Sequence, residues 1–277
     1  MVIQRVLVVF NKMKSGTVNI ATQIKAKMNE LEIDCQLFGY LDNPSEVVCH
    51  HPIDFVFVLG GDGTVLFSAR MLYKLEVPIL PINMGSIGFI TEVSASEWLD
   101  AFLTYKNGQL DVSKRIMIRA TVYRNGKKIT DLVGLNDGVI GSSGASKIVR
   151  YQIDVNGVSL GEYRADGVIL ATPTGATGYS LAAGGPLIYP EAEALLVTPI
   201  CPHSLTKRPI VIPGNENIRV TLDKEQRTKI SLTIDGQVEY FLEPGDEVVF
   251  SKTSEKTIIV KSDKRSFYEV IRTKLGG

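Results

Sequence analysis

The segment Ile53-Asp54-Phe55-Val56-Phe57-Val58-Leu59-Gly60-Gly61-Asp62-Gly63-Thr64 constrains this chain more than any other. An apolar run that stops on two glycines is expected to be a buried strand delivering a tight turn, with a helix starting just after it. Glycine tolerates positive φ and lets the backbone approach a ligand closely. Successive N–H groups at a helix N-terminus then suit a phosphate. A carboxylate in such a cradle is costly unless a metal or a hydroxyl donor compensates it. Phosphoryl transfer supplies both: a metal on the phosphates, and an acceptor hydroxyl whose proton must leave. The plainer alternative is a strand-to-helix turn in which Asp62 only caps the helix.

The flanking sequence fits a parallel sheet with helices on its faces. Arg5 to Phe10 is a short apolar strand. Ile20, Ile24, Met28 and Leu31 then recur as one stripe of an amphipathic helix. Extended character returns over 33–38, a helix with Val65, Ala69 and Leu72 on one face closes before Pro78, and another strand is expected over 79–82. From about Arg115 the apolar period drops from about 3.6 to about 2 residues. Ile116, Ile118, Ala120 and Val122 alternate up to Asn125-Gly126. Val149, Tyr151, Ile153 and Val155 alternate up to Asn156-Gly157, a strong hairpin signal. Further strands are expected near 166–171, 195–199, 218–222, 230–234 and 257–261, with a turn and short helix over 174–184. The tail puts Phe267, Val270, Ile271 and Leu275 on one helical face that must be buried.

Composition narrows the class. Apolar residues make up 44% and charged residues 22% of the 277, as in a globular domain with a substantial core. Thirty basic and thirty acidic side chains cancel, so neither nucleic acid nor an anionic membrane is an expected partner. No apolar run approaches the roughly 20 residues that span a bilayer, and no signal peptide is expected. Cys35, Cys49 and Cys201 are expected to be reduced thiols of a cytoplasmic protein. His50, His51 and His203 lack zinc spacing and are expected on the surface or in loops. There is no GxxxxGK[ST] loop and no GxGxxG fingerprint, which excludes P-loop NTPases and the usual dinucleotide-binding turn.

A second polar cluster follows the apolar strand that begins at Asp166. Thr172-Pro173-Thr174-Gly175 leads into Thr177, Gly178, Tyr179 and Ser180 at the head of a short helix. Hydroxyls and free backbone donors gathered there suit a ribose and a phosphate, and Tyr179 can flank a flat ring. A structural turn accounts for this segment equally well.

Taken together, the motifs resemble the NAD kinase family. They are Gly60-Gly61-Asp62-Gly63-Thr64, Asn83-Met84-Gly85-Ser86-Ile87-Gly88-Phe89, Asn136-Asp137, the 172–186 loop, Pro202 to Pro213, Asp235-Gly236-Gln237 and the 268–276 tail. The first motif is shared with diacylglycerol and sphingosine kinases; the 172–186 loop combined with the tail is far more specific. The resemblance implies an α/β fold plus a β-rich part: a phosphofructokinase-like, Rossmann-like N-terminal domain, a sandwich-like C-terminal domain, and a terminal helix returning to the first. The domains expected are 1–98 with 258–277, carrying the glycine-aspartate turn, and 99–257, binding NAD, with the active site between them in a homodimer or homotetramer.

The implied reaction is phosphorylation of the adenosine ribose 2′-hydroxyl of NAD to give NADP. The donor is ATP or inorganic polyphosphate, and a divalent metal ion such as Mg²⁺ is carried by the phosphates rather than by dedicated protein ligands. By the same resemblance, Asp62 acts on the hydroxyl, and Gly61, Gly63 and Thr64 hold phosphates. Phe89 lies beside the adenine, and Asn136, Asp137, Asp166, Thr177, Gly178, Tyr179, Asp235 and Gly236 form the NAD site. On sequence alone Phe89 is more often a core residue, and a bare turn is the lesser alternative for Asn136-Asp137-Gly138. Arg150 and Arg164 fit a solvated strand edge better than a pyrophosphate site, and Trp98 is expected at a domain junction.

Three positions depart from the family pattern: Asp137 stands for the usual Glu, Gly178 for Ala, and Ala182 for a frequent Ser. The competing functions are a lipid kinase sharing the glycine-aspartate turn and a silent NAD(H)-binding sensor. The neutral composition disfavours the first. The retained Asp62 disfavours the second, because a binding-only site has no need of a carboxylate beside phosphates.

Overall fold

The structure is a computed structural model and describes residues 2–41, 52–144 and 148–276. Cys49, His50 and His51 lie outside the described residues. The chain divides into two compact units, Met1–Arg115 with Glu255–Gly277, and Ile116–Ser254.

In the first unit the chain runs β1 (Arg5–Asn11), α1 (Thr17–Glu30), β2 (Asp34–Tyr40), β3 (Phe55–Gly60), α2 (Asp62–Leu72), β4 (Pro78–Asn83), β5 (Val93–Ser94) and α3 (Trp98–Lys106). The strands pair in the order β2-β1-β3-β4, all parallel, with β5 parallel to β4. Val56, Phe57, Val58 and Leu59 are fully buried, as a parallel strand covered on both faces requires. The α1 stripe inserts Ile24 and Met28 completely, with Ile20 and Leu31 partly buried beside them. Trp98 departs from its expected place. It belongs to this unit's own core, edge-on to Phe57 at 6.0 Å between ring centroids, at the head of α3.

The second unit carries most of β6 (Val112–Arg124), then β7 (Lys127–Gly134), β8 (Asp137–Ser142), β9 (Val149–Val155), β10 (Val158–Ala165), β11 (Gly167–Ala171) and the short α4 (Tyr179–Ala182). It continues with β12 (Ala194–Ile200), β13 (Ile210–Pro213), β14 (Ile218–Leu222), β15 (Ile230–Ile234), β16 (Val238–Leu242) and most of β17 (Glu247–Val260). One antiparallel sheet has the order β13-β12-β11-β8-β15-β16, and β10-β9-β14-β17 are paired antiparallel in another. A single apolar cluster joins inward side chains of both sheets, including Ile140, Val168 and Leu232 with Ile153, Val220 and Phe250. This is a sandwich.

Asn156 and Gly157, both at positive φ (47° and 83°), turn β9 into β10, as a tight hairpin demands. Arg164 is exposed on the end strand β10, whereas Arg150 is exposed on β9, which is paired on both sides. The last residues of β17 return to the first unit, where Ile258 and Ile259 run parallel to Pro78 and Ile79. The chain then closes with α5 (Phe267–Leu275), whose first turn is fixed by reciprocal Ser266–Glu269 hydrogen bonds. Only Val270 of its apolar face is fully covered; Leu275 is exposed.

Candidate active site

The glycine-aspartate turn is itself the start of a helix: Gly61 is the N-cap of α2 and Asp62 its first residue. Asp62 does not cap that helix, which has no side-chain cap bond. Its carboxylate reaches instead to the 88–91 loop. Oδ2 accepts the N–H of Phe89 at 2.9 Å. Oδ1 accepts the N–H groups of Ile90 (3.2 Å) and Thr91 (3.1 Å) and the Thr91 hydroxyl (2.9 Å). The cost of placing a charge here is therefore met in part by a loop some thirty residues further along the chain.

That loop is rigid for identifiable reasons. Asn83 Nδ2 donates to Ser86 O (2.6 Å) and to Thr91 Oγ1 (2.7 Å), while its Oδ1 accepts the Gly85 N–H (2.6 Å). Gly88 must lack a side chain, since a Cβ there would lie 2.0 Å from Asp62 Oδ1. Phe89 is half-buried, with the Lys274 ammonium 5.8 Å from its ring centroid.

Gly61 lines a cleft of about 350 Å³ together with Lys14, Ser15, Gly60, Asn83 and the 84–86 loop. Gly63 is exposed. Thr64 is 3% exposed: its hydroxyl bonds Tyr40, its N–H donates to Gly61 O (2.9 Å) and its carbonyl accepts the Ser68 hydroxyl (2.8 Å).

In the second unit the organising group is Asp235, 8% exposed and at a positive φ of 53°. Its carboxylate accepts the N–H groups of Leu135 (3.0 Å), Asn136 (2.7 Å) and Asp137 (3.2 Å), and its own N–H donates to Asp137 O at 3.0 Å. Thr172 ties the 172–178 turn to the same place. Its N–H donates to Asn136 O (2.8 Å) and its hydroxyl to Leu135 O (2.6 Å). A Cβ on Gly175 would collide with Asn136 O at 2.1 Å, so the two turns can meet only if that residue is glycine.

Asp137 does not sit in a bare turn. It opens β8, which is paired on both sides by β11 and β15. Burial, and then the charge of Asp235, push its carboxyl up to about 7.

Asn136, Asp137, Tyr179, Asp235 and Gly236 border one cleft of about 360 Å³. Asp166 and Tyr179 border a second of about 310 Å³. Tyr179, about half exposed, is common to both. Gly178 lies against Asn136. Thr177 donates its hydroxyl to Thr174 O at 3.0 Å. Asn136 Oδ1 and Thr174 Oγ1 are buried with no hydrogen-bond partner, unmet polarity of the kind a ligand or water satisfies.

Sequence reasoning missed Thr91, Thr172 as the tie between turns, and Lys14. A signal for Thr91 was present. A buried-edge carboxylate needs donors, and the Gly88-Phe89-Ile90-Thr91 run supplies successive N–H groups with a hydroxyl at its end. Cys35 is buried, and burial raises its thiol to about 11; Cys201 is exposed, and both are free. Among the described residues no helix is long and apolar enough to cross a membrane.

A parallel α/β unit with a glycine-aspartate helix start, followed by a β-sandwich unit, is an architecture found in solved kinases. The structure superposes on a yeast NADH kinase complexed with NADH, with a TM-score of 0.87 at 23% identity over 99% of this chain and 88% of that one. It also matches an Archaeoglobus fulgidus NAD kinase in complex with ATP, with a TM-score of 0.75 at 27% identity over 99% and 98%. Residues 4–107 match the ATP-NAD kinase N-terminal domain and residues 135–262 the ATP-NAD kinase C-terminal domain. The chain is 36% identical to a Treponema denticola NAD kinase over 273 residues, covering 99% of this chain and 96% of that one. It is 42% identical to the Geotalea daltonii enzyme over 222 residues, covering 80% and 78%. The chain belongs to the NAD kinase family.

Proposed function

We propose that this chain transfers a terminal phosphoryl group to the 2′-hydroxyl of the adenosine ribose of NAD, giving NADP. The donor is ATP or inorganic polyphosphate. In this reaction the 2′-oxygen forms a bond to phosphorus, the bond to the bridging oxygen of the donor breaks, and the shortened donor leaves. Asp62 takes up the hydroxyl proton or orients it.

The observation that carries this reading is the asymmetry of the Asp62 carboxylate. Oδ1 accepts three hydrogen bonds, whereas Oδ2 accepts one. Oδ2 keeps a lone pair in a fixed orientation, which is what a general base or hydroxyl-orienting group requires. Because phosphoryl transfer depends mostly on positioning and electrostatics, a rigidly held carboxylate is enough on the protein side.

Residues 1–98 with 258–277 then serve the donor, and residues 99–257 hold NAD. In the second group Asn136, Asp137, Thr177, Gly178, Tyr179 and Asp166 contact the nucleotide. Asp235 and Gly236 shape its cleft, with the Asp235 carboxylate engaged by backbone. Phe89 offers its half-buried ring to the adenine. A divalent metal fits this set as part of the donor. Asp62 already accepts four hydrogen bonds, and Mg²⁺ commonly travels on substrate phosphates. Bound there, the metal neutralises charge developing on the transferred group. Assembly as a homodimer or homotetramer in the cytoplasm belongs to the same reading.

The test is a coupled assay for NADP formation with Mg²⁺ and, in parallel, ATP and polyphosphate. NADP from at least one donor is expected. No NADP from either, with labelled phosphatidate formed from diacylglycerol, would overturn the proposal in favour of a lipid kinase.

A further inference from the structure

The cleft beside the glycine-aspartate turn has a charge pattern that the motif itself does not supply. Of its lining residues, Lys14, Ser15, Gly60, Gly61, Asn83, Met84, Gly85 and Ser86, only Lys14 is charged. Among the described lining residues none is a carboxylate. The Lys14 ammonium lies close to the turn, since a Cβ on Gly61 would sit 3.3 Å from Nζ. Among the described residues no hydrogen bond or ion pair engages that ammonium.

The loop that carries Lys14 is built rather than loose. The buried Thr17 hydroxyl donates to Asn11 O (2.9 Å) and to Lys14 O (2.8 Å), and Asn11 Oδ1 accepts the Met13 N–H (2.8 Å). Asn83, which also lines the cleft, is engaged by Ser86, Thr91 and Gly85. An exposed cation carried on a bonded loop thus stands at the rim of a cleft of about 350 Å³ whose described lining holds hydroxyls and backbone but no acid. That composition selects an anion with several oxygens.

We infer that Lys14 is a donor-binding residue that grips the phosphoanhydride chain of the phosphoryl donor, whether the chain ends in a nucleoside or is inorganic polyphosphate. The inference rests on the kinase reading above and adds a residue outside the glycine-aspartate motif. Lys14 binds the part of the donor that both sources share, so its removal weakens every donor the enzyme uses and leaves NAD untouched.

The experiment compares wild type, Lys14→Ala and Lys14→Arg in the full chain. KM is measured for ATP, for polyphosphate and for NAD, together with calorimetric binding of inorganic tripolyphosphate. Lys14→Ala is expected to raise KM about tenfold for each donor the wild type accepts. It should weaken tripolyphosphate about as much and leave the KM for NAD within about twofold; Lys14→Arg should recover most of the loss. Where the wild type makes NADP, an unchanged donor KM in Lys14→Ala overturns the assignment. So does an effect on ATP alone where polyphosphate is also used, or a wild type that does not bind tripolyphosphate. A wild type that makes no NADP yet binds tripolyphosphate through Lys14 sinks the NAD kinase reading and leaves the lysine's role standing.

Discussion

Each unit holds an aspartate against three backbone N–H groups of a distant loop, and the two carboxylates end up in different situations. Asp62 gathers Phe89, Ile90 and Thr91 but stays partly exposed, with Oδ2 carrying a single partner. Asp235 gathers Leu135, Asn136 and Asp137, is 8% exposed, and sits where its charge bears on Asp137. The same device therefore serves two ends. In the first unit, on the proposed function, it fixes a carboxylate for a substrate. In the second it fixes a turn around a carboxylate and lifts the proton affinity of a neighbour.

Four substitutions strain this contrast. Asp62→Asn is the largest: kcat for NADP formation should fall about a thousandfold, the scale of losing a positioned base. A smaller loss is expected from Gly88→Ala, whose new methyl would occupy the space of Asp62 Oδ1. Displacing the carboxylate by an ångström or so should cost about a hundredfold in kcat, and steady-state kinetics at saturating substrates would show it. Asp235→Asn should act on stability instead. Leaving backbone N–H groups poorly partnered should cost about 2 kcal/mol in denaturant unfolding, with a raised KM for NAD as the second unit loosens. If Asp235→Asn abolished kcat at unchanged stability, the division of roles would be wrong.

The smallest effect is a pH dependence. Asp137 is raised above its ordinary value of 3.8 to about 7, by burial and then by Asp235. Between those two values the folded protein binds a proton that the unfolded chain has released. Its contribution to stability is complete below the lower value and is lost as pH rises through about 7. Asp137→Asn removes the titration. Its stability relative to wild type should improve by about 1 kcal/mol between roughly pH 6 and pH 8. Chemical denaturation of both proteins at the two pH values measures this, and a constant difference would contradict it.

Much of this architecture was legible in the sequence because local chemistry and tertiary structure agree. The Ile53–Leu59 run, the Asn156-Gly157 turn and the α1 stripe each specify one conformation. Where they disagree, the sequence misled. Asn136-Asp137-Gly138 has turn chemistry, yet Asp137 opens a strand because β11 and β15 pair with β8 from both sides. Helix α3 left no clear stripe, and Trp98 was expected at a junction when it packs on Phe57 inside the first unit. The partners of Asp62 were hidden for a different reason. They lie in a loop twenty-seven to twenty-nine residues away, and only the fold brings them to the carboxylate.

The most direct test of the contrast is equilibrium binding of NAD to the Asp62→Asn protein, measured by calorimetry against wild type. If Asp62 is a group aimed at the acceptor hydroxyl, Kd should stay within about threefold of wild type although turnover has collapsed. A Kd that weakens in step with the rate would contradict the account, because Asp62 would then hold the nucleotide site together as Asp235 holds its turn.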